Sequence, residues 1–103
     1  MEHRLTVTTT TDNGVATLTI AGELDPSTAP SLDEAVGTAL GTEGVDQVML
    51  DLAGIGFIDS SGLSVLIRAH ERGEVATIPV KVTNPSPHCR RLLTLTKLDH
   101  LLG

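Results

Sequence analysis

The sequence predicts one α/β domain, a sandwich in which a mixed β-sheet packs against helices. Stretches with alternating apolar residues, typical of strands, are separated by stretches whose apolar residues recur every three or four positions, typical of helices. Two strand-like stretches open the chain, whereas each later one follows a helix, so we expect an antiparallel hairpin and then right-handed parallel crossovers. The length of 103 residues suits a single hydrophobic core, and we treat residues 1–103 as one domain.

The opening hairpin is predicted over residues 5–22. Residues 5–10 are rich in threonine and valine, which favour strands. The Asp-Asn-Gly sequence at residues 12–14 has the composition of a tight chain reversal. Residues 15–22 form the second strand, because alternate residues are apolar and face one side of the sheet: Ala16, Leu18 and Ile20.

The first helix is predicted after the Asp-Pro-Ser sequence at residues 25–27. Ser27 is the expected N-cap, because serine side chains accept hydrogen bonds from the first free N–H groups of a helix. Gly41 and Gly44 are expected to end it. The predicted helix buries an apolar stripe consisting of Ala29, Leu32, Val36, Ala39 and Leu40.

The third strand is predicted over residues 45–52. This run is almost continuously apolar, which is typical of a central strand covered on both faces. The chain is then expected to leave the sheet. Phe57 and Ile58 should hold the following loop against the core, and a helix should begin near Ser60.

The remaining elements complete the alternation of helices and strands. The second helix is predicted to run from Ser60 to Gly73, with a loop around Glu74. A strand follows over residues 78–83. The Ser-Pro pair at residues 86–87 predicts the N-cap and first residue of a last helix.

The charge and aromatic content argue against nucleic acid and membrane partners. Thirteen acidic residues against seven basic ones give a net charge of -6, which repels phosphate backbones and anionic lipid. Phe57 is the single aromatic residue, so stacked bases would find no platform. The one cysteine, Cys89, cannot form an internal disulfide, and no stretch reaches the ~18–20 apolar residues of a membrane span. We expect a cytoplasmic protein.

The sequence offers little for catalysis, cofactors or metals. Its four histidines are too scattered for metal-ligand spacing. The strained Gly-x-Ser-x-Gly turn of serine hydrolases and the glycine-rich nucleotide fingerprints are both absent from the sequence. We therefore expect a protein that is not an enzyme and binds no metal or cofactor.

The turn from Asp59 to Gly62 carries the most information. It lies at the predicted start of a helix, where free backbone N–H groups and the helix dipole favour an anion such as a phosphorylated serine. The simpler interpretation is that Asp59 or Ser60 only caps the helix, with Gly62 giving the turn room. Local physics alone leaves both interpretations open.

Three ordered segments resemble the STAS domains of bacterial anti-sigma factor antagonists. They are Phe-Ile-Asp-Ser-Ser-Gly-Leu at residues 57–63, Gly-Glu-Leu-Asp at 22–25, and Asn-Pro-Ser-Pro at 84–87 with Arg-Arg-Leu-Leu at 90–93. The resemblance covers nearly the whole chain. The sequence departs from the family at Lys97, where members usually have a glycine that ends the last helix.

The resemblance implies a phosphorylation switch. Ser60 corresponds to the phosphoacceptor of the family, with Ser61 as the alternative, and Asp25, Asp59 and Gly62 would complete the partner-binding region. Asp25 could equally be a helix cap beside the site. The unphosphorylated protein would bind a serine kinase that is also an anti-sigma factor, and so free the sigma factor. Phosphorylation would end binding, and a PP2C-type phosphatase would restore it.

A second function is compatible with the same resemblance. The resemblance to STAS domains is also compatible with a constitutive scaffold subunit of a stress-signalling or lipid-transport complex, in which Ser60 is never phosphorylated. The two hypotheses share the fold and differ in the chemistry of this one serine.

Overall fold

The computed structural model describes residues 4–102 and confirms the predicted fold class. In this part of the chain, the sheet has the order β1-β2-β3-β4, with β1 antiparallel to β2 and the other neighbours parallel. None of the helices described is long and apolar enough to cross a membrane. The elements in chain order are β1 (Leu5–Asp12), β2 (Val15–Leu24), α1 (Ala29–Leu40), β3 (Gln47–Ile58), α2 (Ser60–Ala76), β4 (Val80–Thr83), α3 (Pro87–Leu95) and a 3-10 turn (Asp99–Leu101).

The opening hairpin forms as predicted. Asn13 and Gly14 both have positive φ angles, 51° and 82°, which defines the tight turn that matches the twist of antiparallel strands. Asp12 pairs with Val15 directly across this turn, so the turn fixes the register of the whole hairpin.

The third strand is central, but it is covered on one face only. Val48, Leu50 and Leu52 are fully buried, whereas Met49 and Asp51 between them are only partly buried. The expectation of a strand covered on both faces is therefore wrong. An apolar run indicates a strand in the middle of a sheet. Whether both faces of that strand are covered depends on where the helices pack.

The same strand is also longer than predicted. β3 does not leave the sheet after Leu52; it stays paired with β2 as far as Ile58, opposite Leu24. The register between β2 and β3 shifts twice before Ile58. Such bulges allow an irregular, glycine-containing segment to stay hydrogen-bonded to the neighbouring strand. After Leu52 the regular alternation of apolar and polar residues is lost, and for this reason the strand was predicted to end there.

One hydrophobic core lies between the sheet and the helices. The predicted stripe of α1 supplies Leu32 and Val36, both fully buried. Cys89 of α3 is also fully buried, and burial raises the pKa of its thiol. We infer that this cysteine acts as a small apolar core residue.

The start of α1 differs from the prediction. Thr28, and not Ser27, is the residue before the first helical position, so the assignment of Ser27 as N-cap is wrong. The Ser27 hydroxyl and N–H both donate to Asp25 instead. The C-terminal end is as expected, since Gly41 follows the last helical residue.

The second helix runs through the predicted loop. Glu74 is helical, and α2 ends only at Ala76, because Thr77 takes the left-handed conformation, with a φ of 57°. The Thr77 N–H then donates to Glu74 O (3.2 Å) and the Ile78 N–H to Gly73 O (2.8 Å). Gly73 is a buried residue inside the helix and does not end it.

We expect replacement of Thr77 by glycine to stabilise the fold by about 0.5–1 kcal/mol. A β-branched residue is strained at positive φ, and the exposed Thr77 side chain makes no buried contact that would be lost. Thermal unfolding followed by circular dichroism measures the change. The control is Thr38→Gly in the exposed face of α1, which should destabilise; a Thr77→Gly variant that loses as much stability as this control would contradict the strain argument.

The last helix ends at Leu95 although the usual glycine is missing. Lys97 takes the left-handed conformation that glycine favours, with a φ of 59°. Its N–H donates to Thr94 O (3.1 Å), and the N–H of Leu98 donates to Leu93 O (2.7 Å). The departure from the family pattern therefore leaves the end of this helix in place.

Candidate functional site

The serine turn lies where the ends of two parallel strands meet. Leu24 ends β2 and Ile58 ends β3, and the two residues are register partners. The Asp59 N–H donates to Leu24 O (3.3 Å), so the turn after β3 is attached to the end of β2. Asp25 and Asp59 thus follow neighbouring strand ends, as expected for the carboxyl edge of parallel strands.

Asp59 is the N-cap of α2. Its Oδ1 accepts hydrogen bonds from the N–H groups of Ser61 (2.9 Å) and Gly62 (3.2 Å). Ser60 is therefore the first helical residue and not the cap. The carboxylate also places a negative charge at the positive end of the helix dipole, which stabilises the first turn.

The two serines differ in exposure. Ser60 is exposed, whereas Ser61 is partly buried and lines a groove between α1 and α2. The Ser60 carbonyl accepts a hydrogen bond from Ser64 Oγ (2.9 Å), which fixes the backbone of the first turn. The Ser60 hydroxyl is thus presented to solvent on a rigid backbone.

Gly62 allows α2 to approach the sheet closely. A Cβ atom at this position would lie 2.7 Å from Ile58 Cγ1 and 2.8 Å from Leu24 Cγ, so any side chain would collide with both strand ends. Gly62 is buried, and its contribution is to position the serines.

Asp25 organises the start of α1. Its Oδ1 accepts from the Ser27 hydroxyl (2.7 Å) and from the N–H groups of Ser27 (2.9 Å) and Thr28 (3.2 Å). Its Oδ2 forms an ion pair with Arg4, and only 10% of the side chain is exposed. The Ser27 hydroxyl, helped by the Ser27 N–H and the Arg4 charge, lowers the pKa of Asp25 although burial opposes this, so the carboxylate is ionised at neutral pH.

Arg4 is a residue of this region that sequence reasoning missed. It forms ion pairs with Asp25 and with Glu23 (3.0 Å), and it donates to Ser27 Oγ (2.8 Å). The register of the hairpin could have indicated this contact. Leu5 pairs with Gly22, so the residues just beyond this pair, Arg4 and Glu23, lie opposite each other.

Phe57 is exposed beside the turn. Ile58 is buried, as expected, but 46% of Phe57 is accessible, so the expectation that both residues hold the chain against the core is wrong for Phe57. Because the segment is still a strand, adjacent side chains point to opposite faces. The protein thus presents its one aromatic side chain three positions before Ser60.

Two histidines far apart in sequence meet elsewhere in the fold. The rings of His70 and His100 are 5.4 Å apart in an edge-to-face arrangement. Within residues 4–102, no three histidine, cysteine, aspartate or glutamate side chains come close enough together to hold a metal ion.

Comparison with known proteins identifies the class to which this fold and turn belong. A family model described as "Mlab, STAS domain" matches residues 7–103, and the chain therefore belongs to the STAS domain family. The resemblance inferred from the three sequence segments is confirmed.

Individual relatives agree with this assignment. The chain is 38% identical over 68 residues to the anti-sigma-F factor antagonist RsfB of Mycobacterium tuberculosis; the match covers 66% of this chain and 55% of the relative, so the chain spans little more than half the length of that protein. An anti-sigma factor antagonist from Mycobacterium paratuberculosis superposes with a TM-score of 0.83 at 29% identity, over 96% of this chain and 83% of the other. Unphosphorylated SpoIIAA superposes with a TM-score of 0.80 at 19% identity, over 95% and 86%, which supports the fold.

Proposed function

We propose that this protein is an anti-sigma factor antagonist that acts by binding and not by catalysis. In its unphosphorylated form it binds a serine kinase that is also an anti-sigma factor, and the sigma factor is released. Phosphorylation of Ser60 ends the interaction, and a PP2C-type phosphatase resets it in the cytoplasm. The observation that carries the proposal is the exposed Ser60 hydroxyl, held on a capped helix in a member of the STAS family.

Exposure favours Ser60 over Ser61 as the phosphoacceptor. A kinase must surround the hydroxyl that it modifies, and Ser61 is partly buried with its N–H bonded to Asp59. A phosphate on Ser61 would lie toward the α1–α2 groove. The Ser60 hydroxyl is the more accessible of the two to a kinase.

The phosphate would act on the partner more than on the helix. It adds about -1.5 to -2 charges. The N–H groups of Ser61 and Gly62 already donate to Asp59, so the start of α2 has fewer free N–H groups to bind a phosphate than an uncapped helix would have. The phosphate would therefore project from the surface, where bulk, desolvation and repulsion from partner acids all oppose docking.

Phe57 is the expected aromatic anchor of the same interface. Half-exposed aromatic side chains supply much of the binding energy at protein interfaces, so Phe57→Ser should weaken binding to the anti-sigma factor at least about tenfold while the fold stays intact. Calorimetric titration measures the affinity. Val75→Ser is the matched control, because Val75 is 90% exposed at the far end of α2; equal effects of the two variants would refute a specific role for Phe57.

A specific observation also favours the scaffold hypothesis. The description of the matching family model names Mlab and no anti-sigma factor antagonist. A constitutive scaffold would keep Ser60 unmodified and would bind its partners regardless of kinase activity.

Phosphopeptide mapping decides between the two functions. A pull-down with Ser60→Ala protein recovers the candidate kinase, which is then purified and incubated with wild-type protein and ATP. The antagonist hypothesis predicts one added phosphate of about 80 Da on Ser60, lost in Ser60→Ala and retained in Ser61→Ala. Phosphate confined to Ser61, or no phosphate with any bound kinase, would refute Ser60 as the switch.

A further inference from the structure

A groove of about 440 Å³ runs between α1 and α2, and it begins beside the serine turn. One wall is formed at the start of α1 and the other by one face of α2, where Ser61, Ser64 and Arg68 follow one another at helical spacing. The groove therefore continues the surface on which Ser60 lies. Residues from both walls are Pro26, Pro30, Asp33, Ser61, Ser64 and Arg68.

At the far end of this groove, one carboxylate pairs unequally with two arginines. Asp33 lies between two arginines of α2, and its Oδ1 is 3.0 Å from Arg72 Nη1 but 3.7 Å from Arg68 Nη1. Arg72 also donates to the Asp33 carbonyl (3.1 Å). Asp33 thus lies closer to Arg72, which lines the adjoining depression together with Glu71, and Arg68 is the more weakly paired of the two arginines.

Arg68 is the arginine that remains accessible. Its side chain is 56% exposed, against 38% for Arg72. Arg4, by contrast, is balanced by Glu23 and Asp25. In a protein with a net charge of -6, Arg68 is thus an exposed and weakly paired positive charge in the groove that begins beside the serine turn.

We propose that the groove receives an acidic side chain of the anti-sigma factor, which pairs with Arg68. The inference rests on the proposed function and names the chemistry of one contact with that partner. A guanidinium group binds a carboxylate through two parallel hydrogen bonds, and Arg68 reaches Asp33 through one nitrogen at long range only, so its fork is suited to a second carboxylate. Pro26 and Pro30 provide an apolar wall for the methylene groups of that side chain.

The test is a calorimetric titration of variants against the purified anti-sigma factor recovered in the pull-down. Arg68→Glu should weaken binding at least about tenfold at low salt, and the deficit should shrink between about 50 and about 500 mM NaCl, because the lost contact is ionic. Arg68→Lys should retain most of the affinity. Arg91→Glu, on the exposed surface of α3, is the charge-matched control and should change affinity less than about threefold.

Asp33→Asn separates a binding role from a structural one. Removing the competing carboxylate should free Arg68 and tighten binding about two- to fivefold, although it also removes the internal ion pairs of both arginines. A structural role for Arg68 predicts weaker binding for both variants. Circular dichroism confirms that each variant is folded.

Two results would overturn the inference. An Arg68→Glu variant that binds with wild-type affinity would overturn the inference and leave the antagonist function intact. Weaker binding by Asp33→Asn would have the same consequence. Failure of the wild-type protein to bind any anti-sigma factor would remove the proposed function itself, and this inference with it.

Discussion

Ser60→Asp protein is expected to lose at least about a hundredfold of its affinity for the anti-sigma factor, or about 2.7 kcal/mol. The substitution puts a fixed carboxylate at the first position of α2, on an exposed side chain that we place within the interface. Acidic residues are favourable in the first turn of a helix, so the fold should be as stable as wild type. Calorimetric titration measures the affinity, and circular dichroism checks the fold.

The matched control is Ser31→Asp. Ser31 is also an exposed serine in the first turn of a helix, the third residue of α1, so the substitution adds the same charge to a first turn at a different place on the surface. Binding by Ser31→Asp and Ser60→Ala should stay within about threefold of wild type. If Ser60→Asp bound as tightly as these two, charge at Ser60 would not control the interface.

The largest loss of stability is expected from Gly22→Ala, at about 3 kcal/mol. Gly22 has a φ of 111°, which disfavours any side chain, and a Cβ atom there would collide with the carbonyl oxygen of Arg4. Backbone cannot move aside as the end of a side chain can. The same strand segment positions Asp25, so the variant should disturb the Arg4–Asp25 ion pair as well.

Gly44→Ala isolates the two causes. Gly44 also has a positive φ, 89°, but no heavy atom lies within 4 Å of a Cβ built there. Its substitution should therefore cost only the conformational strain, about 1 kcal/mol, and thermal unfolding of both variants gives the difference. Equal losses would mean that the contact with Arg4 contributes nothing.

Local sequence rules predicted most of the elements because those elements depend on neighbours in sequence. The Asn13-Gly14 turn sets positive φ angles at two residues, and Ser86 caps α3 by accepting from the Cys89 N–H (3.2 Å), as predicted. One error concerns the end of α2, where a residue adopts a conformation that its type disfavours. Thr77 ends α2 in a conformation that threonine disfavours, and no rule based on propensity anticipates that.

The candidate site shows the same division. The sequence resemblance grouped Asp25 with Asp59, and the two residues follow neighbouring strand ends, an arrangement that parallel topology produces. It did not predict the exposure of Phe57, because that depends on β3 continuing through its bulges to Ile58. The contact between Arg4 and Asp25 required the register of the hairpin, which pairs residues from opposite ends of the first two strands.

The most direct test of the proposed switch compares the phosphorylated and unphosphorylated forms of the protein against one partner. Wild-type protein phosphorylated by the recovered kinase, and mapped to Ser60, is titrated beside unphosphorylated protein into the anti-sigma factor, and PP2C-type phosphatase treatment then removes the phosphate. We predict tight binding by the unphosphorylated form, at least about a hundredfold weaker binding by the phosphorylated form, and full recovery after phosphatase treatment. Equal affinities of the two forms would contradict the proposed switch.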